Sequence, residues 1–152
     1  MAAVVTAGDP APTLKLPGSD GDISIPSQNG RGQVVFFYPK DNTPGCTTEA
    51  KAFSEHQEAF EKAGYDIVGI SRDSLASHEK FIEKQGLTVP LASDEDGSAC
   101  EAFGVWVEKS MYGRKFMGIE RSTFLIGADG TIIETWRKVR VKGHVEAVLS
   151  LL

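Results

Sequence analysis

The amino-acid sequence predicts an α/β fold in which helices cover a central mixed sheet. Short apolar runs of strand length alternate along the chain with longer segments whose apolar residues recur at helical spacing. A hairpin pattern and an amphipathic helix follow at the end, which favours a sheet with both parallel and antiparallel pairs. The 152 residues contain neither an internal repeat nor a linker, so we expect one domain over residues 1–152.

The first half of the chain predicts an N-terminal β-hairpin followed by strand and helix units. The run Val34 to Tyr38 is continuously apolar, as in a strand covered on both faces, and we expect it at the centre of the sheet. Gly64 and Gly86 mark helix ends. The predicted elements are strands at 14–16, 23–25 and 33–38, a helix at 43–63, a strand at 66–71 and a helix at 74–85.

The second half predicts shorter elements. Tyr112 and Gly113 form a turn between two strands, Asp129 and Gly130 form another, and Gly143 precedes the last helix. The predicted elements are a strand at 89–92, a helix at 95–103, strands at 105–109 and 115–118, a hairpin of 121–126 with 131–136, and a helix at 145–151.

The composition of the chain narrows the range of partners, locations and cofactors that we expect. Sixteen basic and twenty-one acidic side chains give a net charge of −5, which disfavours nucleic acid and anionic membranes as partners. Residues 1–9 lack the basic and apolar runs of a signal peptide or membrane span, so we expect a cytoplasmic protein. Two cysteines form no C-x-x-C pair, and the three histidines, His56, His78 and His144, are scattered. We expect no metal or other cofactor, and surface or helix-capping roles for the histidines.

Cys46 is the first candidate for chemistry, because a helix is predicted to begin on it after a strand and a proline-containing loop. Unpaired backbone N–H groups and the positive end of the helix dipole favour a thiolate there. The dipole contributes only about 0.3–1 kcal/mol, so a cation is also expected beside the sulfur. Arg121, which leads a predicted strand, is the candidate. A small, inert, buried cysteine is the alternative.

The segments FFYPKDNTPGCTTEA, GVWVEKSMYGRKFMGIERSTFLI and DGTI resemble the peroxiredoxins, and within them the bacterioferritin-comigratory or Q-type subgroup. The spacing Pro39-x-x-x-Thr43-x-x-Cys46, with an arginine entering a later strand, is the specific part of this resemblance. It extends from about Gly8 to about Val148. The resemblance implies a thioredoxin-like fold and a thiol-dependent peroxidase that reduces hydrogen peroxide and organic hydroperoxides through a Cys46 sulfenic acid.

The resemblance also assigns roles around the peroxidatic Cys46. The Thr43 hydroxyl, the Cys46 N–H and the Arg121 guanidinium would stabilise charge on the departing oxygen, and Pro39 would shield the site from water. Thr43 could instead be an ordinary helix N-cap, and both roles can coexist. Phe37 and Trp106 are expected in the core, with a place in the peroxide pocket as the alternative.

The route back from the sulfenic acid is less well determined by the sequence. Many Q-type relatives carry a resolving cysteine five residues after the peroxidatic one, but Lys51 stands there. Cys100 is the other internal thiol, and bridging it to Cys46 would require local unfolding. We therefore expect a one-cysteine cycle with thioredoxin, glutaredoxin or a small thiol as reductant, in a monomer or weak homodimer. The alternatives are an atypical two-cysteine cycle through Cys100, or a redox-sensing or chaperone-like binding protein that does not turn over.

Overall fold

The computed structural model describes residues 5–152. The prediction for residues 1–9 falls partly on residues 1–4, which lie outside this range. Within the described range, no helix has both the length and the apolar character needed to cross a bilayer. The elements are β1 (Leu14–Leu16), β2 (Ile23–Ile25), β3 (Gly32–Phe37), α1 (Pro44–Lys62), β4 (Tyr65–Ser71), α2 (Leu75–Gln85), β5 (Leu91–Ser93), α3 (Ser98–Ala102), β6 (Trp106–Met111), β7 (Arg114–Ile119), β8 (Ser122–Ile126), β9 (Ile132–Trp136) and α4 (His144–Leu149).

Five strands form the central mixed sheet in the order β5-β4-β3-β8-β9. The strand β3 lies at the centre, as its apolar run predicts, and pairs parallel with β4 and antiparallel with β8. Val35 therefore stands between Val68 and Phe124. The pairs β1–β2 and β6–β7 form two separate antiparallel ribbons.

Alternate side chains of β3 enter two different cores, because successive residues of a strand point to opposite faces. Phe36 packs in the core under α1, α2 and α4, and Phe37 packs in the core under α3 and the β1–β2 ribbon. Cys46 belongs to the first core and Cys100 to the second. The two thiols thus lie on opposite faces of the sheet.

Two element boundaries differ from the predictions for a local physical reason. The helix predicted at 95–103 begins only at Ser98, because Gly97 adopts φ +78° and the Asp94 carboxylate accepts the N–H groups of Ala99 and Cys100. The strand predicted at 89–92 begins at Leu91. Pro90 ahead of it has no N–H to donate, and only its carbonyl joins β4, by accepting the Gly69 N–H.

Candidate active site

Cys46 is the third residue of α1 and lies in its first turn. The helix begins at Pro44, two residues before the cysteine on which the loop pattern predicts its start and one residue inside the predicted range 43–63. Pro44 occupies the first helical position, where its fixed φ and missing N–H are tolerated. The first bond of the helix runs from the Thr47 N–H to the Thr43 carbonyl over 2.9 Å. The N–H groups of Gly45 and Cys46 precede that bond and are left for other acceptors.

Arg121 lies beside the cysteine sulfur, immediately before β8. Its Nη2 is 3.2 Å from Cys46 Sγ, and its Nη1 donates to Glu49 Oε1 over 2.7 Å. Cys46 is 1% exposed, and the Arg121 side chain is 16% exposed. A cation therefore faces the sulfur in a site from which water is largely excluded, where electrostatic interactions are strong.

Glu49 completes a chain of three functional groups with Cys46 and Arg121 and is not among the residues predicted from the sequence. Its side chain is fully buried, and Oε2 has no hydrogen-bond partner among the described residues. Burial raises the pKa of Glu49 to about 7, against the opposing effect of Arg121. For Arg121, burial alone would lower the pKa, but Glu49 and the Cys46 sulfur outweigh it and raise the pKa. The spacing Cys46-x-x-Glu49 was an available signal, because residues three apart share a helix face.

Thr43 occupies the N-cap position of α1 without a capping side chain. Its backbone is extended, with φ −87°, and its hydroxyl donates to the Lys40 carbonyl over 2.8 Å. The proton of this hydroxyl is therefore already engaged within the loop. Toward a substrate, Oγ1 of Thr43 therefore acts as a hydrogen-bond acceptor through its lone pairs.

Pro39 is exposed and is one of the residues that line a groove of about 550 Å³. The rest of the lining combines the apolar side chains of Trp106, Phe116, Met117 and Ile119 with the charged side chains of Lys40, Arg72, Glu95 and Lys109. Trp106 thus lies in a groove beside the cysteine loop. Phe37 is instead fully buried and packs against the rings of Phe103 and Phe124.

The histidine prediction is wrong for two of the three residues. His78 is fully buried in α2, and His144 is 6% exposed at the first position of α4, where Nε2 lies 2.8 Å from Thr123 Oγ1. Only the His56 side chain, 34% exposed, is near the surface. Within residues 5–152, no three His, Cys, Asp or Glu side chains are grouped in a way that could hold a metal ion.

Cys100 lies beside the Asp94 carboxylate, whereas Cys46 lies beside the Arg121 guanidinium. Cys100 is fully buried in the same core cluster as Phe37 and Phe103. Burial, and secondarily the Asp94 carboxylate, raise the pKa of its thiol far above the ordinary value. A thiol held protonated in an apolar core is a poor nucleophile.

A thiol at a helix N-terminus, faced by a guanidinium on a mixed sheet covered by helices, defines the protein as a thiol-based oxidoreductase. The family model described as AhpC/TSA matches residues 7–135. The chain therefore belongs to the AhpC/TSA family and is a peroxiredoxin, as the sequence motifs predict.

Its relatives are similar over nearly their whole length. Peroxiredoxin Bcp of Xanthomonas campestris is 49% identical over 146 residues, which cover 94% of this chain and 91% of that protein. Peroxiredoxin Bcp of Bacillus subtilis is 45% identical over 149 residues, or 97% of this chain and 95% of that protein. These relatives confirm that the protein is a thiol-dependent peroxidase.

Solved structures agree on the fold. A PrxQ variant of Xylella fastidiosa superposes with a TM-score of 0.91 at 42% identity, covering 99% of this chain and 96% of that one. The Xanthomonas campestris bacterioferritin comigratory protein, studied for its alkyl peroxide reduction activity, gives a TM-score of 0.86 at 44% identity, with the same coverage of 99% and 96%. The predicted thioredoxin-like fold is confirmed.

Proposed function

We propose that Cys46 is the peroxidatic residue. Its thiolate attacks one oxygen of a hydroperoxide, so that an S–O bond forms while the O–O bond breaks. Sulfur is oxidised by two electrons to a sulfenic acid, and the departing oxygen takes a proton and leaves as water or an alcohol. The observation that carries this proposal is the 3.2 Å separation between Arg121 Nη2 and Cys46 Sγ at the start of α1.

Arg121 serves two purposes in this mechanism. Its positive charge favours the thiolate before the reaction. In the transition state, the same donor and the Cys46 N–H stabilise negative charge as it moves from the sulfur to the departing oxygen. Thr43, whose hydroxyl donates to the Lys40 carbonyl, accepts a hydrogen bond from the hydroperoxide O–H through Oγ1 and so orients the substrate. Pro39, which lines the groove beside the loop, limits the access of water.

We infer that the substrates include hydrogen peroxide and organic hydroperoxides. A small hydroperoxide needs only the donors around the sulfur. The groove beside Pro39 supplies an apolar wall of Trp106, Phe116 and Met117, which suits the carbon chain of a larger substrate. The alkyl peroxide reduction activity of the Xanthomonas relative supports the same class of substrate for this chain.

We further propose a one-cysteine cycle. Cys100 lies across the sheet from Cys46, and a disulfide between them would require α-carbons within about 4.4–6.8 Å. Lys51 stands where an intrahelical partner would be. An external thiol therefore attacks the sulfenic acid and releases water, and a second thiol then releases Cys46 as a disulfide leaves. Thioredoxin, glutaredoxin or a small thiol can fill this role, with the protein acting as a monomer or weak homodimer.

Two variants test these proposals with hydrogen peroxide as oxidant and dithiothreitol or thioredoxin as electron donor. Cys46→Ser should abolish steady peroxide consumption while the fold is kept, since the serine hydroxyl is neither ionised nor soft. Cys100→Ser is the matched control and should turn over at the wild-type rate. Retained turnover in Cys46→Ser would remove Cys46 from its role.

Mass spectrometry after one equivalent of peroxide, with a thiol-blocking reagent present, distinguishes the cycles. We expect a sulfenic acid on Cys46 and a blocked, reduced Cys100. A quantitative internal disulfide, with activity lost in Cys100→Ser, would establish the atypical two-cysteine cycle instead. A protein that consumed one equivalent and then stopped, despite excess thiol, would be a redox sensor.

A further inference from the structure

A buried polar cluster, which the mechanism above does not use, holds the loop that precedes Cys46. Asp41 lies in this loop, and its side chain is 1% exposed. Its Oδ1 accepts the Tyr38 hydroxyl over 2.6 Å. Its Oδ2 accepts the Ser77 hydroxyl over 2.7 Å and lies 2.8 Å from His78 Nδ1. One carboxylate thus receives three side chains, one from its own loop region and two from α2.

His78 joins the Asp41 loop to β5. Nδ1 lies 2.8 Å from Asp41 Oδ2, and Nε2 lies 3.0 Å from the Ala92 carbonyl oxygen. Burial alone would raise the pKa of Asp41, but the hydrogen bonds from His78, Tyr38 and Ser77 and the electrostatic interaction with His78 lower it. One fully buried imidazole thus connects the Asp41 carboxylate to β5.

The backbone of the same loop is fastened at a second point. The Asp41 N–H donates to Asp73 Oδ2 over 2.8 Å, and this oxygen also accepts the Ser71 hydroxyl over 2.7 Å. The next residue, Asn42, adopts φ +61°, a left-handed conformation that asparagine tolerates better than most residues. The chain is thus held through both the side chain and the backbone of Asp41, two residues before Thr43.

We propose that Asp41 and His78 are positioning residues, which latch the loop 38–43 to α2 and β5 in the conformation that reacts with peroxide. This proposal rests on the peroxidatic role of Cys46. The latch fixes the Thr43 hydroxyl and the first turn of α1 relative to Arg121. Neither Asp41 nor His78 contacts the reacting atoms, and both act through the loop.

The latch opposes the second half of the reaction. Cys46 is 1% exposed, so an external thiol reaches its sulfenic acid only when the loop and the first helical turn move away. Loosening the latch should therefore have opposite effects on the two steps. Attack on peroxide, which needs the closed geometry, becomes slower, and access of bulky reagents to the sulfur becomes faster. A variant that had only lost stability would not show this combination of slower attack on peroxide and faster access to the sulfur, which we call the split.

The test is His78→Gln in the full-length protein, because the amide of glutamine does not reproduce the two opposed ring nitrogens that face Asp41 and Ala92. Stopped-flow fluorescence would measure oxidation of reduced Cys46 by hydrogen peroxide. We expect a rate about 10- to 100-fold below wild type, the size of effect that small misplacements of reacting groups produce. Alkylation of Cys46 by a bulky maleimide, in the Cys100→Ser background, should become faster than in wild type.

Phe60→Leu provides the matched control. Phe60 is also fully buried but lies fourteen residues further along α1, about 21 Å from Cys46. Even when its melting temperature is lowered as much as that of His78→Gln, Phe60→Leu should keep the wild-type rates of peroxide oxidation and maleimide alkylation. Equal peroxide and maleimide rates in the His78→Gln and Phe60→Leu proteins would overturn the proposal.

Two milder variants keep the proposal testable if His78→Gln does not fold. Tyr38→Phe and Ser77→Ala each remove one donor to Asp41 and leave the Asp41–His78 contact. Each should show a smaller split in the same directions, and its absence in both variants would again refute the latch. The maleimide rate does not depend on peroxidase chemistry. A failure of the peroxidatic assignment would therefore appear in Cys46→Ser turnover, whereas a failure of the latch would appear in alkylation.

Discussion

Glu49→Gln should change how the stability of the protein depends on pH. The carboxyl of Glu49 has a pKa of about 7 in the folded protein instead of its ordinary 4.5, chiefly because it is buried. The folded state therefore binds a proton more tightly than the unfolded chain between these two values. This contribution to stability is fully present below about pH 4.5 and is lost as the pH rises through about 7. Glutamine, which does not titrate, lacks this dependence.

The gap between 4.5 and about 7 corresponds to about 3 kcal/mol. The free energy of unfolding of Glu49→Gln, minus that of the parent, should thus increase by up to about 3 kcal/mol between about pH 4.5 and about pH 8. Both proteins would carry Cys46→Ser, so that neither oxidation nor thiol ionisation intervenes. Comparing them at each pH cancels the other titrating groups. One of these is His144, whose pKa is lowered to about 4 by burial and by Arg121.

Denaturant unfolding, followed by tryptophan fluorescence at a series of pH values, measures this difference. Two stability curves that stay parallel within about 0.5 kcal/mol would refute the reasoning. In that case Arg121 would hold Glu49 ionised at every pH tested, despite the burial of the carboxylate. A pH-independent difference in the free energy of unfolding between the two proteins reflects the polar contacts of the amide. It carries no information on the pKa of Glu49.

Three further outcomes are expected at the candidate active site. Arg121→Ala should slow oxidation of Cys46 by about 100-fold, even at a pH where the thiol is fully ionised; a rate fully restored there, in stopped-flow measurements, would limit Arg121 to controlling ionisation. Gly45→Ala should slow the same step about tenfold at an unchanged melting temperature, because its Cβ would lie 3.2 Å from Arg121 Nη2 and press the guanidinium away from the sulfur; an unchanged rate would contradict this. Lys51→Cys should convert the oxidised product to an internal disulfide and make reduction by thioredoxin more efficient. Because five residues span about 7.5 Å along a helix, the first turn of α1 must unwind for this disulfide to form. A persistent sulfenic acid in mass spectrometry would show that the turn does not unwind.

The sequence predicts the elements of this fold well where a local pattern determines them. The apolar run of β3 and the glycine after α1 are properties of neighbouring residues, and both elements appear where expected. The order of the five strands depends on pairings such as Val35 with Phe124, which are distant along the chain. No local pattern specifies such pairings, so only the presence of a mixed sheet could be predicted.

The same distinction applies to the site. Cys46 and Arg121 were predictable, because the motif spacing and the need for a cation both indicate them. The sequence indicates that Arg121 lies beside the sulfur, but the contact that Arg121 also makes with Glu49 was not predictable, since 72 residues separate Glu49 from Arg121. His78 was misjudged because a histidine in an amphipathic helix is usually near the surface. Its burial depends on the contact with Asp41, which lies in a distant loop. The periodicity of α2 alone does not indicate that contact.

The placement of the two thiols on opposite faces of the sheet has a consequence for survival of the enzyme under oxidative stress. In the proposed one-cysteine cycle, each sulfenic acid waits for a molecule from solution, either a thiol that returns it to the cycle or a second peroxide that oxidises it to sulfinic acid. The relative rates of these two reactions set how many turnovers each molecule completes before inactivation. In this cycle the lifetime of the enzyme therefore depends on the thiol supply of its surroundings.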